Sequence, residues 1–348
     1  MGEPTMRNVA SLDAAGIETL IADLGEPGYR ARQLTSWLYG RTAPSFDAMT
    51  DLPARLRARL ADEWTLTLPS ATDIRHSSDG TRKYLWQLAD GVLVESVGIP
   101  SDGRLTVCFS TQAGCVMGCT FCATGRGGFV RNLLPGEIVW QVALVGSDFG
   151  HRVTNAVAMG QGEPFNNYEA TLGALRLMNL PDGLGIGARH LTVSTCGVVP
   201  GIDRFAREQE QFTLAVSLHS AVQETRDGIM PGARRWPLPR LRQALIHYGD
   251  STGRRPTLEF AVIAGRNDSP QEISALIAFA RGWMCHINLI PVNPVEGSGA
   301  ERPDPARVAE IAGLLQAAGI ETSVRIERGT DIEAACGQLT QKHRAQDD

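Results

Sequence analysis

Three cysteines in one short segment, Cys115, Cys119 and Cys122, are the side chains best suited to chemistry in this chain of 348 residues. Their spacing lets three thiolates converge on one side of a tight loop, and thiolates bind iron–sulfur clusters, zinc or copper. A structural zinc site takes four protein ligands, often as two Cys-x-x-Cys pairs, and the sequence contains no second pair. Three ligands instead leave one iron of a [4Fe–4S] cluster open for a substrate. A zinc loop and unligated buried cysteines are the alternatives.

The elements that must position these cysteines are short apolar segments alternating with helical ones after residue 104. This alternation predicts a parallel sheet covered by helices, hence an α/β fold. The number of units favours a partial (β/α)6 barrel over a complete eight-unit barrel, with a doubly wound open sheet as the alternative. The predicted strands span residues 105–109, 155–159, 190–194, 213–217, 257–263, 286–290 and 322–326. The predicted helices span residues 135–145, 170–178, 239–247, 270–280 and 305–317.

Motifs rich in glycine, serine, cysteine and asparagine follow the predicted strands. The cysteine segment follows the first strand, and residues 160–164, 194–196, 217–219 and 291–294 follow later ones. In α/β proteins the carboxyl ends of the strands meet at the edge where ligands bind. We therefore expect these motifs to form a single site.

The first hundred residues predict a different organisation. Ser11 can cap a helix that runs to about Leu24, and residues 29–39 and 53–63 have helical periodicity. Alternating stretches around Asp90 and Gly91 predict a hairpin, because glycine supplies the positive φ of a tight turn. We expect a small helical accessory domain at residues 1–80, a hairpin connector at 81–100, a catalytic domain at 101–340 and a tail at 341–348.

Composition limits the class of protein. A hydrophobic share of 43% with 20% charged residues is typical of globular proteins. The sequence has no apolar run of about eighteen residues, as a membrane span would need, and its N-terminus lacks the apolar core of a signal peptide. The expected compartment is therefore the cytoplasm. In a reducing compartment, clustered cysteines predict metal binding or catalysis and not disulfide bonds.

Two motifs together resemble the radical S-adenosylmethionine (SAM) superfamily. They are the cysteine segment, with Phe121 before its third cysteine, and the Gly-Glu-Pro stretch at residues 162–164. Residues 29–39, 46–52, 108–115, 217–220 and 328–339 narrow the resemblance to the RlmN/Cfr family of RNA adenosine methyltransferases, on the RlmN side. The similarity covers nearly the whole chain. It departs at Gln161, where Met is more usual, and at residues 232–235, which read Gly-Ala-Arg-Arg where Ile-Asn-Lys-Lys is more usual.

The resemblance implies the cofactors and the residues that bind them. Cys115, Cys119 and Cys122 would hold a [4Fe–4S] cluster whose open iron binds the amino and carboxylate groups of SAM. One electron then breaks a carbon–sulfur bond of SAM and releases a 5′-deoxyadenosyl radical. The residues implied for SAM binding are Gly162, Glu163, Ser194, Ser217, Leu218, His219 and Asn293.

The resemblance also implies catalytic roles, with two SAM molecules used per turnover. A ring carbon of adenine has no lone pair with which to take a methyl group, so Cys336 first takes the methyl from one SAM. The radical from a second SAM removes a hydrogen from that methyl, and the resulting methylene radical adds to the adenine. Glu95 accepts the ring proton, and Cys108 releases the covalent adduct through a transient disulfide with Cys336. Cys196 and Cys285 have no implied role and are expected to be structural.

RNA is the implied partner: an adenosine of 23S rRNA, with tRNA as a second substrate in some members. A net charge of −5 gives no global sign of this, but local arginines suit phosphate binding. The candidate contacts are Arg30, Arg32, Arg55, Arg57, Arg59, Arg126, Arg131, Arg234 and Arg235. We also expect a flavodoxin- or ferredoxin-like reductant, a monomeric enzyme and no membrane contact.

Three alternatives stay open at this point. A Cfr-like enzyme would methylate carbon 8 of adenine instead of carbon 2, which the RlmN side favours. A radical SAM methylase on the same scaffold could act on a small molecule or a peptide. A zinc-stabilised RNA-binding protein would catalyse nothing.

Overall fold

The computed structural model describes residues 7–339, so the predicted tail at residues 341–348 lies outside the described residues. Its main feature is a single sheet of ten strands. These are β3 (Ser70–His76), β4 (Arg82–Gln87), β5 (Leu93–Ser101), β6 (Arg104–Cys108), β9 (Asn155–Ala158), β10 (Leu191–Thr195), β11 (Thr213–Ser217), β12 (Thr257–Val262), β13 (His286–Pro291) and β14 (Thr322–Val324). Their order is β14-β13-β12-β11-β10-β9-β6-β5-β4-β3. Because this order is linear, the barrel stays open.

The strands from β6 to β14 in this order run parallel to one another. The central strand β11 buries Leu214, Ala215 and Val216 in succession. Such a continuous apolar run is expected of a parallel strand that is covered on both faces. All seven strands predicted after residue 104 are confirmed, with ends that differ by at most two residues.

Helices follow most of the parallel strands. They are α4 (Ala123–Gly127), α5 (Pro135–Phe149), α6 (Tyr168–Asn179), α7 (Val199–Phe205), α8 (Gln223–Ile229), α9 (Leu238–Thr252), α10 (Pro270–Ala280) and α11 (Pro305–Ala317). The helices predicted at residues 270–280 and 305–317 are confirmed to the residue. Helices α4, α7 and α8 were not predicted, because segments of five to seven residues are too short to show helical periodicity.

The predicted hairpin is confirmed as β4 and β5, but it extends the main sheet as well as connecting two regions. Strand β5 pairs antiparallel with β6, with Val97 opposite Cys108, and β4 pairs with β5 on its other side. Strand β3 completes the edge and was not predicted. Its side chains are mostly exposed, so it lacks the apolar alternation that marks a half-buried strand.

The N-terminal region is helical, as predicted. It contains β1 (Arg7–Asn8), α1 (Ala14–Asp23), α2 (Tyr29–Thr35), α3 (Ala54–Glu63) and β2 (Trp64–Thr65), with a π-helical turn at Ser36–Gly40. Asp13, not Ser11, caps α1: its carboxylate accepts from the backbone N–H of Gly16 at 2.8 Å, whereas the Ser11 hydroxyl donates to the Asn8 carbonyl. The predicted domain boundaries stay a prediction.

A buried hydrogen bond joins this region to helix α5, which packs against the main sheet: the indole N–H of Trp140 donates to the Ala10 carbonyl at 3.0 Å. Within the N-terminal region, the Tyr39 hydroxyl donates to the Leu12 carbonyl at 2.6 Å. A Cβ at Gly136 would lie 1.9 Å from the Ala10 oxygen, so only glycine allows this approach. One continuous core therefore includes both regions. None of the helices between residues 7 and 339 has the length and apolar character needed to cross a bilayer.

Candidate active site

The three motif cysteines lie between the strand β7 (Gln112–Gly114) and α4, beside the strand β8 (Phe129–Asn132) that pairs with β7. Backbone hydrogen bonds fix this loop from two directions. Gly232 donates to the Met117 carbonyl and Thr120 donates to the Ile229 carbonyl, both at 2.9 Å, while Ala123 donates to Gly337 at 2.7 Å. The loop is therefore held by segments that are distant in sequence.

The chemistry of the loop suits an iron–sulfur cluster. Cys115, Cys119 and Cys122 line one cavity at the carboxyl ends of the strands. Burial raises the pKa of Cys115 to about 12 and raises that of Cys122, so these thiols need a bound cation in order to ionise. Among residues 7–339, no three His, Cys, Asp or Glu side chains converge closely enough for a single metal ion. Three thiols that line one cavity fit an iron–sulfur cluster, whose irons take thiolate ligands.

Glu163 lies deep in the same cavity, with its carboxylate oriented by backbone donors. It accepts from the N–H of Phe165 at 3.0 Å and from the N–H of Cys196 at 2.6 Å. Burial raises its pKa. The preceding Gly162 has φ +104°, and a Cβ there would lie 2.6 Å from the Gln112 side chain. The chain therefore positions one buried acceptor where a cationic amino group could bind.

The other predicted SAM ligands divide into two groups. Ser194, Ser217, His219 and Asn293 line the same cavity as Glu163. Leu218 does not line it, because its side chain is fully buried in the main core. Only the backbone of Leu218 remains to contact a ligand, and its N–H already donates to the Glu259 carbonyl at 3.0 Å.

His219 is held in one tautomer. Its Nδ1 accepts from the N–H of Ala261 at 3.0 Å, so the proton of the neutral ring lies on Nε2. The ring meets Phe121 of the cysteine segment edge to face, with centroids 4.9 Å apart. Burial, together with a smaller effect of the charge of Arg226, lowers the pKa of His219 to about 3. His219 is therefore a neutral donor at physiological pH.

This burial predicts an acid-sensitive contribution to stability. Because the pKa of His219 is about 3 in the folded chain and 6.5 in the unfolded one, the unfolded state binds the extra proton between these values. Stability should fall as the pH drops below 6.5, by about 2 kcal/mol between pH 7 and pH 5. In urea unfolding, the free energy of unfolding of His219→Asn should fall by about 2 kcal/mol less than that of the parent chain between pH 7 and pH 5. His151→Asn, at an exposed position, is the control, and equal slopes for all three proteins would contradict the prediction.

Cys108 and Cys336 meet in a second cavity that adjoins the first. Both line it, and Cys122, Asn293 and Cys336 line both cavities, so the two spaces are continuous. Burial raises the pKa of Cys108 to about 12, and the nearby Cys336 raises it as well. The Asn293 amide donates to the Cys336 carbonyl at 3.3 Å. Two thiols separated by more than two hundred residues in sequence therefore line one cavity beside the cysteine loop.

Glu95 lies near these thiols but lines neither cavity. Val97 lies opposite Cys108 on the neighbouring strand, so their side chains are on the same face of the sheet. Glu95 is two residues before Val97, and its side chain is therefore on that face as well. Its carboxylate forms a buried ion pair with Lys83 at 2.8 Å. The Lys83 ammonium also donates to the Glu333 carbonyl at 3.1 Å, in the segment that carries Cys336.

Three charged residues of this region were missed from the sequence. Arg325 lines both cavities, and its guanidinium lowers the pKa of Cys108 against the effect of burial. Glu259 lines the first cavity and accepts from the Asn288 amide at 2.8 Å. Lys83 pairs with Glu95. Only Lys83 could have been singled out from the sequence, because Lys83 and Lys342 are the two lysines in a chain whose other Lys or Arg positions are all arginine.

The candidate RNA contacts differ in availability. Arg131 is held by Asp90 and Glu137 at 2.7 and 2.8 Å, and Arg59 pairs with Glu63. The exposed members of the set are Arg32, Arg55, Arg59, Arg126, Arg234 and Arg235. Their role in RNA binding stays a prediction.

Known proteins resemble both regions of the chain. The model described as "Ribosomal RNA large subunit methyltransferase N-terminal domain" matches residues 7–66, and that of the radical SAM superfamily matches residues 109–276. A Symbiobacterium thermophilum protein named "Probable dual-specificity RNA methyltransferase RlmN" is 49% identical over 331 residues, 94% of this chain and 89% of that protein. A protein of the same name from Geobacillus kaustophilus is 41% identical and covers 99% of this chain and 95% of its own.

A solved structure agrees with this assignment. The crystal structure of a radical SAM methyltransferase from Sphaerobacter thermophilus matches with a TM-score of 0.91 at 44% identity, covering 97% of this chain and 100% of that one. Membership of the superfamily carries with it SAM and an iron–sulfur cluster as cofactors, and the three thiols fit such a cluster. Similarity of this level over nearly the full length assigns the family. The chain belongs to the RlmN family of radical SAM methyltransferases.

Proposed function

We propose that this chain methylates carbon 2 of an adenine in 23S rRNA and in tRNA, using a methylated Cys336 as the carrier of the new carbon. The observation that carries the proposal is that Cys108 and Cys336 line one cavity beside the cysteine loop. A radical enzyme that only cleaves SAM needs the three ligand cysteines and no further thiols. Relatives named as dual-specificity RNA methyltransferases support RNA as the substrate.

Residues of this chain would hold the cofactors in defined places. Cys115, Cys119 and Cys122 would bind a [4Fe–4S] cluster, and Glu163 would accept hydrogen bonds from the amino group of SAM. Ser194, Ser217, His219 and Asn293 line the remaining wall. Once bound, the cluster and SAM supply a 5′-deoxyadenosyl radical. A cavity lined by buried side chains protects a reactive species of this kind from side reactions.

The thiols and the carboxylate would then act in sequence. The Cys336 thiolate takes a methyl group from one SAM and, after loss of a hydrogen atom to the radical made from a second SAM, forms a carbon–carbon bond to the adenine. Glu95 would accept the proton that leaves the ring carbon, and the one electron that the adduct radical must also lose would return to the cluster. The Cys108 thiolate attacks the Cys336 sulfur, the carbon–sulfur bond breaks, and the released carbon takes up a proton and becomes the methyl group. A cellular thiol system reduces the resulting disulfide.

Substrate binding would involve both regions of the chain. An adenosine in folded RNA must leave its stack to reach the cavity, at a cost of a few kcal/mol. We propose that the accessory domain at residues 1–80, beyond the connector at 81–100, holds the surrounding RNA through phosphate contacts, which makes the affinity salt-dependent. The catalytic domain at residues 101–340 then methylates the extruded base. We further propose a monomeric cytoplasmic enzyme with a flavodoxin- or ferredoxin-like reductant.

Nucleoside analysis tests this function directly. Deletion of the gene should remove 2-methyladenosine from digests of 23S rRNA and tRNA, as measured by mass spectrometry, and the intact gene should restore it. A loss of 8-methyladenosine instead would assign carbon 8. Unchanged methyladenosine in both RNAs would reject an RNA substrate. Anaerobic reconstitution that yields a colourless protein with stoichiometric zinc would reject the radical mechanism as a whole.

A further inference from the structure

Arg226 in α8 is a fully buried arginine that the function described above does not use. Its relative exposure is 0%. One guanidinium nitrogen donates to the Cys196 carbonyl at 2.7 Å and another to the Ala233 carbonyl at 3.5 Å, while Nε has no hydrogen-bond partner among residues 7–339. Arginine keeps its charge in proteins, so this segment holds a cation away from water.

The buried charge forms no ion pair with a carboxylate in the part of the chain that the structure describes. Within residues 7–339, no carboxylate forms an ion pair with Arg226. The neighbouring Asp227 instead accepts from the Gln223 amide at 2.7 Å. An isolated buried ion is strongly unfavourable unless an opposite charge lies nearby. Asp227 favours the charged form of Arg226 without forming an ion pair with it, so the arrangement suits a further anion that the protein side chains do not provide.

The surroundings of Arg226 show where such an anion belongs. The groups that favour its charged form, and so raise its pKa against the effect of burial, are Cys196, Asp227 and Cys119. Two residues that follow Arg226 form backbone hydrogen bonds with the cysteine loop. The N–H of Thr120 donates to the Ile229 carbonyl, and the N–H of Gly232 donates to the Met117 carbonyl. The guanidinium itself donates to the carbonyl of Cys196, which lines the cavity of the three cysteines, and lies close enough to Cys119 for the charge of that thiolate to act on it.

We infer that Arg226 is the built-in counter-charge of the iron–sulfur cluster and raises its reduction potential. The inference rests on the cluster proposed for Cys115, Cys119 and Cys122. Three thiolates give the oxidised cluster a net negative charge, and reduction adds one more. A fixed cation in a region of low dielectric constant stabilises the more negative state, and net charge is a main determinant of cluster potentials.

Redox titration of the reconstituted protein, monitored by electron paramagnetic resonance, tests this inference. At a given applied potential, Arg226→Gln should lower the ratio of reduced to oxidised cluster about tenfold or more, equivalent to a shift of 59 mV. Arg226→Met, which fills the buried space without a charge, should also lower the reduction potential. This second variant keeps the test available if the glutamine variant does not fold. Arg226→Lys, which keeps the charge, should stay closest to the parent protein.

Arg254→Gln is the matched control. Arg254 also donates to a backbone carbonyl, that of Phe212, burial also lowers its pKa, and it lies at the opposite end of β11 from the cavity. Arg254→Gln should therefore leave the reduction potential of the cluster unchanged. Parent-like potentials in Arg226→Gln and Arg226→Met, with the cluster intact, would overturn the role of Arg226 alone. A parent protein that forms no paramagnetic cluster on reduction would overturn both this role and the proposed cluster.

Discussion

Replacing Cys108 with alanine should trap the protein in a covalent complex with its RNA. The carbon–carbon bond between the Cys336 methylene and the adenine forms without Cys108, but release needs a second thiol to attack the Cys336 sulfur. Cys108 lines the same cavity as Cys336 and, unlike Cys122, is not one of the proposed cluster ligands. We expect methylation to stop at or below one event per enzyme molecule. An RNA-dependent shift on a denaturing gel, with the adduct mass measured after nuclease digestion, would detect the complex.

Two further variants make this result specific. Cys336→Ala should form no adduct and no methylated product, because the carrier itself is missing. Cys285→Ala removes another buried thiol, whose Sγ contacts the Ala280 carbonyl 3.7 Å away, and should turn over normally. All three variants should keep their iron content. Multiple turnovers by Cys108→Ala would show that another group resolves the adduct.

The second large effect concerns the buried pair of Lys83 and Glu95. Glu95→Gln should reduce the rate of methylation by about 10²-fold or more, since a general base commonly contributes that much. Lys83→Met should reduce the free energy of unfolding by about 3–5 kcal/mol, because it removes the cation from a buried ion pair. Methylation assays together with urea unfolding measure the two effects separately.

A double variant separates stability from catalysis at this pair. The double variant Lys83→Met, Glu95→Gln leaves neither position of this ion pair charged. Most of the free energy of unfolding lost in Lys83→Met should therefore return, while methylation stays low. Lys83→Met alone also removes the contact with the Glu333 carbonyl, which links Glu95 to the Cys336 segment. If the double variant recovers both stability and activity, Glu95 is a structural carboxylate and another group accepts the proton.

Much of the fold followed from the sequence because its signals are local. Apolar runs of about five residues located every parallel strand of the ten-stranded sheet, and Pro at the first turn located α10 and α11. The edge strand β3 escaped because its side chains face solvent. The short helix α8 escaped for lack of length, although it carries Arg226.

Part of the candidate site was also predictable. The cysteine loop is a local motif, and the motifs at residues 160–164, 194–196, 217–219 and 291–294 followed from one rule, that parallel strands end at a common edge. The structure places Glu163, Ser194, His219 and Asn293 around one cavity beside the loop. For Cys108 and Cys336 only the resemblance suggested a partnership, since nothing local links residues so far apart.

The sequence by itself determined the class of chemistry, because ligand type and spacing are properties of a few adjacent residues. The tertiary structure alone decided which charges meet. Lys83 reaches both Glu95 and the Cys336 segment, and Arg226 lies buried near Cys119 and forms no ion pair with a carboxylate among the described residues. Such pairings form between distant segments, and their energies depend on burial and on distances of a few ångströms. Neither quantity is encoded in any local pattern of residues.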